Sequence, residues 1–243
     1  MKGLALGSIL AVCTWLAGPA SAQERPRFKL LLDGVYAFKI DYSESRSFEE
    51  FLESGRLDVA YANDAGPGFG AALQYDLASG VGIRAAFSHV KRDGRARFEG
   101  NFPHPLYFNR PRSVGGELAG LSYKETSGHL DLVYTARAGR LDFSLFAGGS
   151  IIKTEADLAG NVAKNEVFPF DELSVSLPTL AVSDSPIGWN GGAGLDLRLT
   201  DHVAFGAQFF YSRATAKLES AGGPTIQVDA GGPHVTAGLR FLF

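Results

Sequence analysis

The residues able to carry chemistry are five histidines, His89, His104, His129, His202 and His234, and a set of charged residues set singly into stretches of small or apolar ones. An acyl-hydrolysing site wants a histidine and a serine two apart on one strand, with a carboxylate near. His89 has Phe87 and Lys91 at those places, His234 has Thr236, and His129 has Asp131 but no nucleophile set by the spacing. His104 stands between Pro103 and Pro105, and His202 follows Asp201 in a turn. There is no metal-ligand spacing and no phosphate-cradling glycine loop; Gly191-Gly192-Ala193-Gly194 belongs to a strand. The expectation is a chain that is not an enzyme and that uses no cofactor and no metal.

The elements that position these residues are strands. Eight stretches alternate with period two, at about 27–39, 68–77, 81–88, 127–137, 141–151, 187–200, 203–212 and 233–243. In the seventh, Val203, Phe205, Ala207, Phe209 and Tyr211 oppose Ala204, Gly206, Gln208, Phe210 and Ser212. Short turns near 79, 139 and 201 are 60 and 62 residues apart, and long segments at 40–67, 91–126, 153–186 and 213–232 separate the other strand pairs. Short connections therefore fall on one side of the sheet and long ones on the other. Pro103, Pro105 and Pro111 argue against an uninterrupted central strand in the second long segment. Beyond the N-terminus no run of about 18 apolar residues exists to make a spanning helix, whereas a membrane strand needs only about 9–11 residues.

The N-terminus has the order of an export signal: Lys2, an apolar core from Leu4 to Leu16, then Ala20-Ser21-Ala22 as a cleavage site. A cleaved segment 1–22 and a barrel domain over 23–243 are expected. The single cysteine, Cys13, would leave with the signal. Without Lys2 the balance is 22 basic against 26 acidic residues, or −4, too mild to argue for nucleic acid. The last stretch runs from Thr236 through Gly238 and Phe241 to Phe243 and resembles the assembly signal of bacterial outer-membrane barrels. There a glycine and two final aromatics, here Gly238, Phe241 and Phe243, stand at fixed places.

The whole mature chain is similar to the OmpA-like and OmpX-like small outer-membrane β-barrel proteins. That resemblance implies an all-β fold: an eight-stranded antiparallel up-and-down transmembrane barrel with short periplasmic turns and four long external loops. It also implies a Gram-negative outer-membrane location. The partners it implies are outer-membrane lipid and lipopolysaccharide, periplasmic chaperones and the barrel assembly machinery. A monomer is expected, without the peptidoglycan-binding domain that OmpA itself carries. Tyr75, Tyr134, Phe143 and Phe205 near the short turns, and Phe38, Phe69, Phe87, Trp189 and Tyr211 near the long loops, would form two aromatic girdles.

Parity then places Lys29, Asp33, Asp76, Arg84, Asp131, Arg137, Asp142, Asp196, Arg198 and Arg240 inside. They form a paired plug, or Arg84, Asp196, Arg198 and Arg240 among them line a narrow ion path through a porin-like lumen. The loops divide by sign: residues 39–67 and 153–186 each carry −4, and residues 91–126 carry +3. Arg92, Arg95, Arg97, Arg110 and Arg112 are thus candidates to bind lipid phosphate or an acidic partner, or are simply solvated. The same loop holds Phe98, Phe102, Leu106, Tyr107 and Phe108, more apolar surface than a solvated loop needs. Three functions stay open: envelope integrity or surface interaction through the loops, a narrow passive channel, and a lipid A-modifying enzyme.

Overall fold

The computed structural model describes residues 27–219 and 225–243; the expected signal segment 1–22, with Cys13, and the centre of the last long loop lie outside the described residues. The strands in chain order are β1 (Phe28–Ala37), β2 (Ile40–Glu50), β3 (Glu53–Asn63), β4 (Gly66–Ala78), β5 (Val81–Phe102), β6 (Arg112–Ala138), β7 (Leu141–Ala159), β8 (Ala163–Glu166), β9 (Leu173–Ser176), β10 (Thr179–Asp184), β11 (Ile187–Arg198), β12 (Val203–Glu219) and β13 (Thr225–Leu242). Eight of them close a ring of antiparallel ladders in the order β1, β4, β5, β6, β7, β11, β12, β13. The ring shuts where β13 meets β1, with Leu239 opposite Leu32 and Gly238 opposite Asp33. Phe28 and Phe243 complete this seam by exchanging both backbone hydrogen bonds, at 3.2 and 2.9 Å.

The three expected short turns are present at the base. Ser79 and Gly80 both have positive φ, 51° and 83°, as a two-residue turn of type I′ demands. Above them, the lower ring is apolar outside, with Leu73, Leu130, Leu132, Leu145 and Phe209 exposed and the expected aromatics at both edges. Its interior is small and polar, and glycines there leave room for large charged groups. A side chain at Gly206 would collide with Asp196 Oδ1 and the Arg240 guanidinium, so this position must stay bare for that pair to form.

The long segments are not loops in the main, which corrects the expectation from the prolines. Strands β5 and β6 run on without a break to Phe102 and from Arg112, and Pro103, Pro105 and Pro111 all fall in the tip between them. A second storey of barrel stands on the first. There β3 takes over from β4 beside β5, and β10 takes over from β11 beside β7. Hydrogen bonds carry both ladders across the breaks: Asp64 N to Asp93 O at 2.9 Å, and Ile152 N to Pro186 O at 3.1 Å. Hairpin β2–β3 and strands β5, β6, β7, β10, β12 and β13 thus make the upper wall.

Between the storeys the apolar face changes sides while the pleat does not. On β12 the outward residues are Phe205, Ala207, Phe209 and Tyr211, then Arg213, Thr215, Lys217 and Glu219; the inward ones are Gln208, Phe210 and Ser212, then Ala214, Ala216 and Leu218. Strand β5 switches in the same way, from Phe87 outside to Ala96, Phe98 and Phe102 inside. The upper storey consequently has an apolar core, including Leu57, Tyr61, Phe98, Ile152, Leu158 and Leu218. Each such side chain taken from water contributes about 1.5–3 kcal/mol. The lower storey is held by its closed ladder and the upper one by this core.

Candidate functional site

Every charge assigned inward by parity is found with a partner. At the base of the lumen Asp142 gathers three cations, Arg198 Nη2 at 2.8 Å, Arg137 Nε at 3.2 Å and Lys29 Nζ at 3.8 Å, and Lys29 also lies 3.9 Å from Asp76. One level up, Arg240 donates to Asp33 at 2.6 Å and to Asp196 at 3.1 Å. Above that, Arg84 donates to Asp131 through Nε and Nη2 at 2.9 and 2.7 Å and to Gln208 at 3.1 Å, and lies 3.5 Å over the Phe146 ring. Five cations meet five carboxylates, so this part of the interior is neutral.

Strand β7 adds Ser150, 2.7 Å from His129 Nδ1, a contact no spacing on one strand reveals. The proton positions follow from the neighbours. Asn190 donates through Nδ2 to Asp131 at 2.8 Å, which turns its oxygen toward Ser150 at 3.0 Å. An amide oxygen only accepts, so Ser150 donates to it and receives a hydrogen bond from His129 Nδ1. His129 therefore presents a proton to the serine instead of removing one, the reverse of what a nucleophile needs. A cavity of about 40 Å³, open to the centre of a water molecule, lies beside His129, Asn190, Gln208 and Thr236. That is room for a few waters, and His129 Nε2 and Thr236 Oγ1 are buried polar atoms without a hydrogen-bond partner among the described residues.

The five loop arginines do not form one surface. Arg92 points inward, fully buried, and donates to Glu125 at 2.7 Å and to the Phe38 carbonyl at 3.1 Å. Glu125 also accepts from Tyr123 at 2.9 Å and from the Gly231 amide at 2.7 Å, so this cluster forms a floor between the storeys. Burial is the main cause that pushes the Tyr123 phenol well above its ordinary range, with the Glu125 charge next. Arg112 is buried as well, donating to Glu166 at 3.0 Å and to the carbonyls of Pro103 and Phe170 at 2.8 and 3.1 Å. As anion sites Arg92 and Arg112 are thereby corrected: even parity turns both away from solvent. Arg97 faces outward beside Glu99 at 3.2 Å, and Arg110 lies 5.3 Å over the Tyr107 ring. Arg95 is exposed.

At the far end three tips are clipped together. Asn109 N donates to Glu53 at 2.5 Å, Arg112 holds Glu166 and Phe170, Lys164 pairs with Glu50, and His104 Nδ1 accepts from the amides of Leu106 and Tyr107 at 3.1 and 3.3 Å. The clips leave a crown of exposed apolar residues, Phe51, Leu52 at 98 %, Leu106, Phe108, Val167 and Phe168 at 75 %. Of the apolar loop residues, Phe98 and Phe102 are packed inside, and Leu106, Tyr107 and Phe108 belong to the crown.

A closed ring of eight strands with an apolar girdled exterior, a neutral charged interior, short turns at one end and tall extensions at the other defines an integral outer-membrane β-barrel protein. The chain belongs to the family described as the outer membrane protein beta-barrel domain, which matches residues 8–241. No curated protein sequence matches it. Among solved structures, OprG from Pseudomonas aeruginosa is similar at 14% identity and a TM-score of 0.55, over 90% of this chain and 97% of that one. Neisserial surface protein A is similar at 15% identity and a TM-score of 0.50, over 89% and 97%. Both show the fold, and with the family they place the protein in a bacterial outer membrane.

Proposed function

We propose that this barrel is a closed, non-catalytic scaffold that holds its apolar crown above the outer membrane for surface interaction. The observation that carries the reading is the apolar core of the upper storey, stacked on a paired and neutral lumen. An ion would have to break the Arg84–Asp131 pair and then pass among Leu57, Phe98, Ile152 and Leu218, apolar side chains that offer it no ligand. The Ser150–His129 contact, with its proton on the histidine side, gives no activated nucleophile. Exposed apolar residues gathered on tips that are clipped together are what an interaction site requires.

Conductance separates this reading from a channel. The refolded protein in a planar bilayer is expected to insert and stay silent; a stable open current altered by Arg84→Ala would instead make the lumen charges a path. The crown is tested on cells displaying the protein: Leu52→Ser, Phe108→Ser and Phe168→Ser together are expected to weaken attachment to a surface that the wild type holds by about tenfold or more, as loss of central apolar contacts does. Equal attachment would remove the crown from the proposal.

A further inference from the structure

The crown is built against the preference of its backbone. Phe51 and Leu52 take the two central places of the turn between β2 and β3, closed by Glu50 opposite Glu53, at φ 53° and 65°. Glycine, asparagine or aspartate fill such places in most hairpins, and a bulky side chain there is strained. Both residues are nonetheless apolar and exposed, and Leu52, at 98 %, meets almost nothing of its own chain. Strain of this kind persists where a function needs the side chain. Phe108 and Phe168 are also largely exposed, each within two residues of a clip that ties its tip to another: Asn109 to Glu53, and the Phe170 carbonyl to Arg112.

These side chains stand far from the lipid that the barrel spans. From Phe87 in the apolar belt to Phe102 beneath the crown, β5 covers about 50 Å along the strand, less when the strand tilts. Whatever the crown enters is therefore a second surface. A protein partner would need a fitted recess for each of three tips, whereas a bilayer receives apolar side chains of any shape. The charges narrow the class of bilayer. Residues 49–53, 103–112 and 161–172 hold six carboxylates and three cations. Two of the cations, Arg112 and Lys164, are paired with Glu166 and Glu50, while Glu49, Asp171 and Glu172 are exposed. An anionic leaflet repels such a rim. A choline headgroup carries its trimethylammonium outermost, above the phosphate, and so meets the rim carboxylates with the opposite charge first.

We infer that the crown inserts into a second, facing bilayer with headgroups of the choline type. Leu52, Phe108 and Phe168 enter its acyl region, and Glu49 and Glu172 meet its headgroup cations. Tyr107, with Arg110 5.3 Å over its ring, takes the interface between them, where side chains with an apolar body and a polar end are stable. The inference rests on the crown as the interaction site proposed above and adds the chemistry of what the crown holds.

The test mixes the barrel, held in nanodiscs, with separate vesicles of phosphatidylcholine brominated in its acyl chains. A Leu52→Trp reporter is expected to be quenched by these vesicles, while Trp189, in the nanodisc, is not. At low salt the wild type is expected to bind phosphatidylcholine vesicles about tenfold or more tightly than vesicles rich in phosphatidylserine. Phe108→Ser/Phe168→Ser on the reporter background should abolish the quenching, and Phe108→Leu/Phe168→Leu should keep it, which guards against a folding defect. Glu49→Gln/Glu172→Gln, which touches no clip, should narrow the preference between the two vesicles. An unquenched reporter, or equal binding to both vesicles, would overturn the inference. If that happened while the triple serine variant still weakened attachment of cells, the crown would hold a protein and only the bilayer would be lost. If the triple variant attached as well as the wild type, the crown itself would fall.

Discussion

Arg240→Met is expected to destabilise the barrel by about 3–5 kcal/mol, because it leaves two carboxylates in the lumen without their cation. Arg240 is fully buried between Asp33 and Asp196, at 2.6 and 3.1 Å, and Gly206 and Gly238 are bare beside it. Methionine fills similar volume, so the loss is electrostatic and not one of packing. The pair as a whole is not expected to be a large net source of stability, since its formation must repay the dehydration of three ions. Arg240→Met combined with Asp33→Asn and Asp196→Asn should therefore recover most of the loss. Urea unfolding of residues 23–243 in lipid vesicles, followed by the fluorescence of Trp189, would show it. A single variant as stable as the wild type would mean that the lumen carboxylates are not held by this arginine.

The second large effect belongs to the upper storey. Ile152→Ala is expected to cost about 2–5 kcal/mol, the range for a large aliphatic deleted from a packed core, because Ile152 is completely buried among the upper-core residues. The loss should be local. Trypsin cleavage at the exposed Arg95, Arg97 and Lys217 should accelerate by about thirtyfold or more, the factor that 2 kcal/mol gives, while the lower ring keeps its folded mobility in an unheated gel. If the upper storey loosened only when the lower ring unfolded, the two would be one cooperative unit and the division drawn from the polarity change would fail.

Much of this architecture is legible in the chain. Period two, three short turns and parity place the eight membrane strands and put Lys29, Asp33, Arg84, Asp131, Asp196 and Arg240 inside, because the pleat leaves each side chain only two directions. The upper storey is harder to see, since its strands alternate in the opposite sense. After Phe87 the apolar positions of β5 move from odd to even numbers, Ala96, Phe98 and Phe102, and a reading that follows one apolar face takes the change as the end of the strand. Following the alternation itself through 213–219, or 225–230, would have extended β12 and β13 correctly. It would also have turned Arg92 inward. What no pattern along one strand supplies is the pairing across the barrel, Arg240 with Asp33, or Ser150 with His129, which depends on how distant strands face one another.

The change of polarity along unbroken strands has a mechanical meaning. Strands β5, β6, β7, β12 and β13 each carry their own waterline, and the ladders bind those marks into one circle. If the molecule sank by two residues, about 6.6 Å along a strand, Lys153 and Arg213 would enter hydrocarbon, with Lys91 and Lys124 brought to its edge; if it rose, Phe69, Phe87 and Tyr211 would be lifted into water. The protein is therefore a float of fixed draught. The crown's height above the outer interface is therefore set by the length of the upper storey.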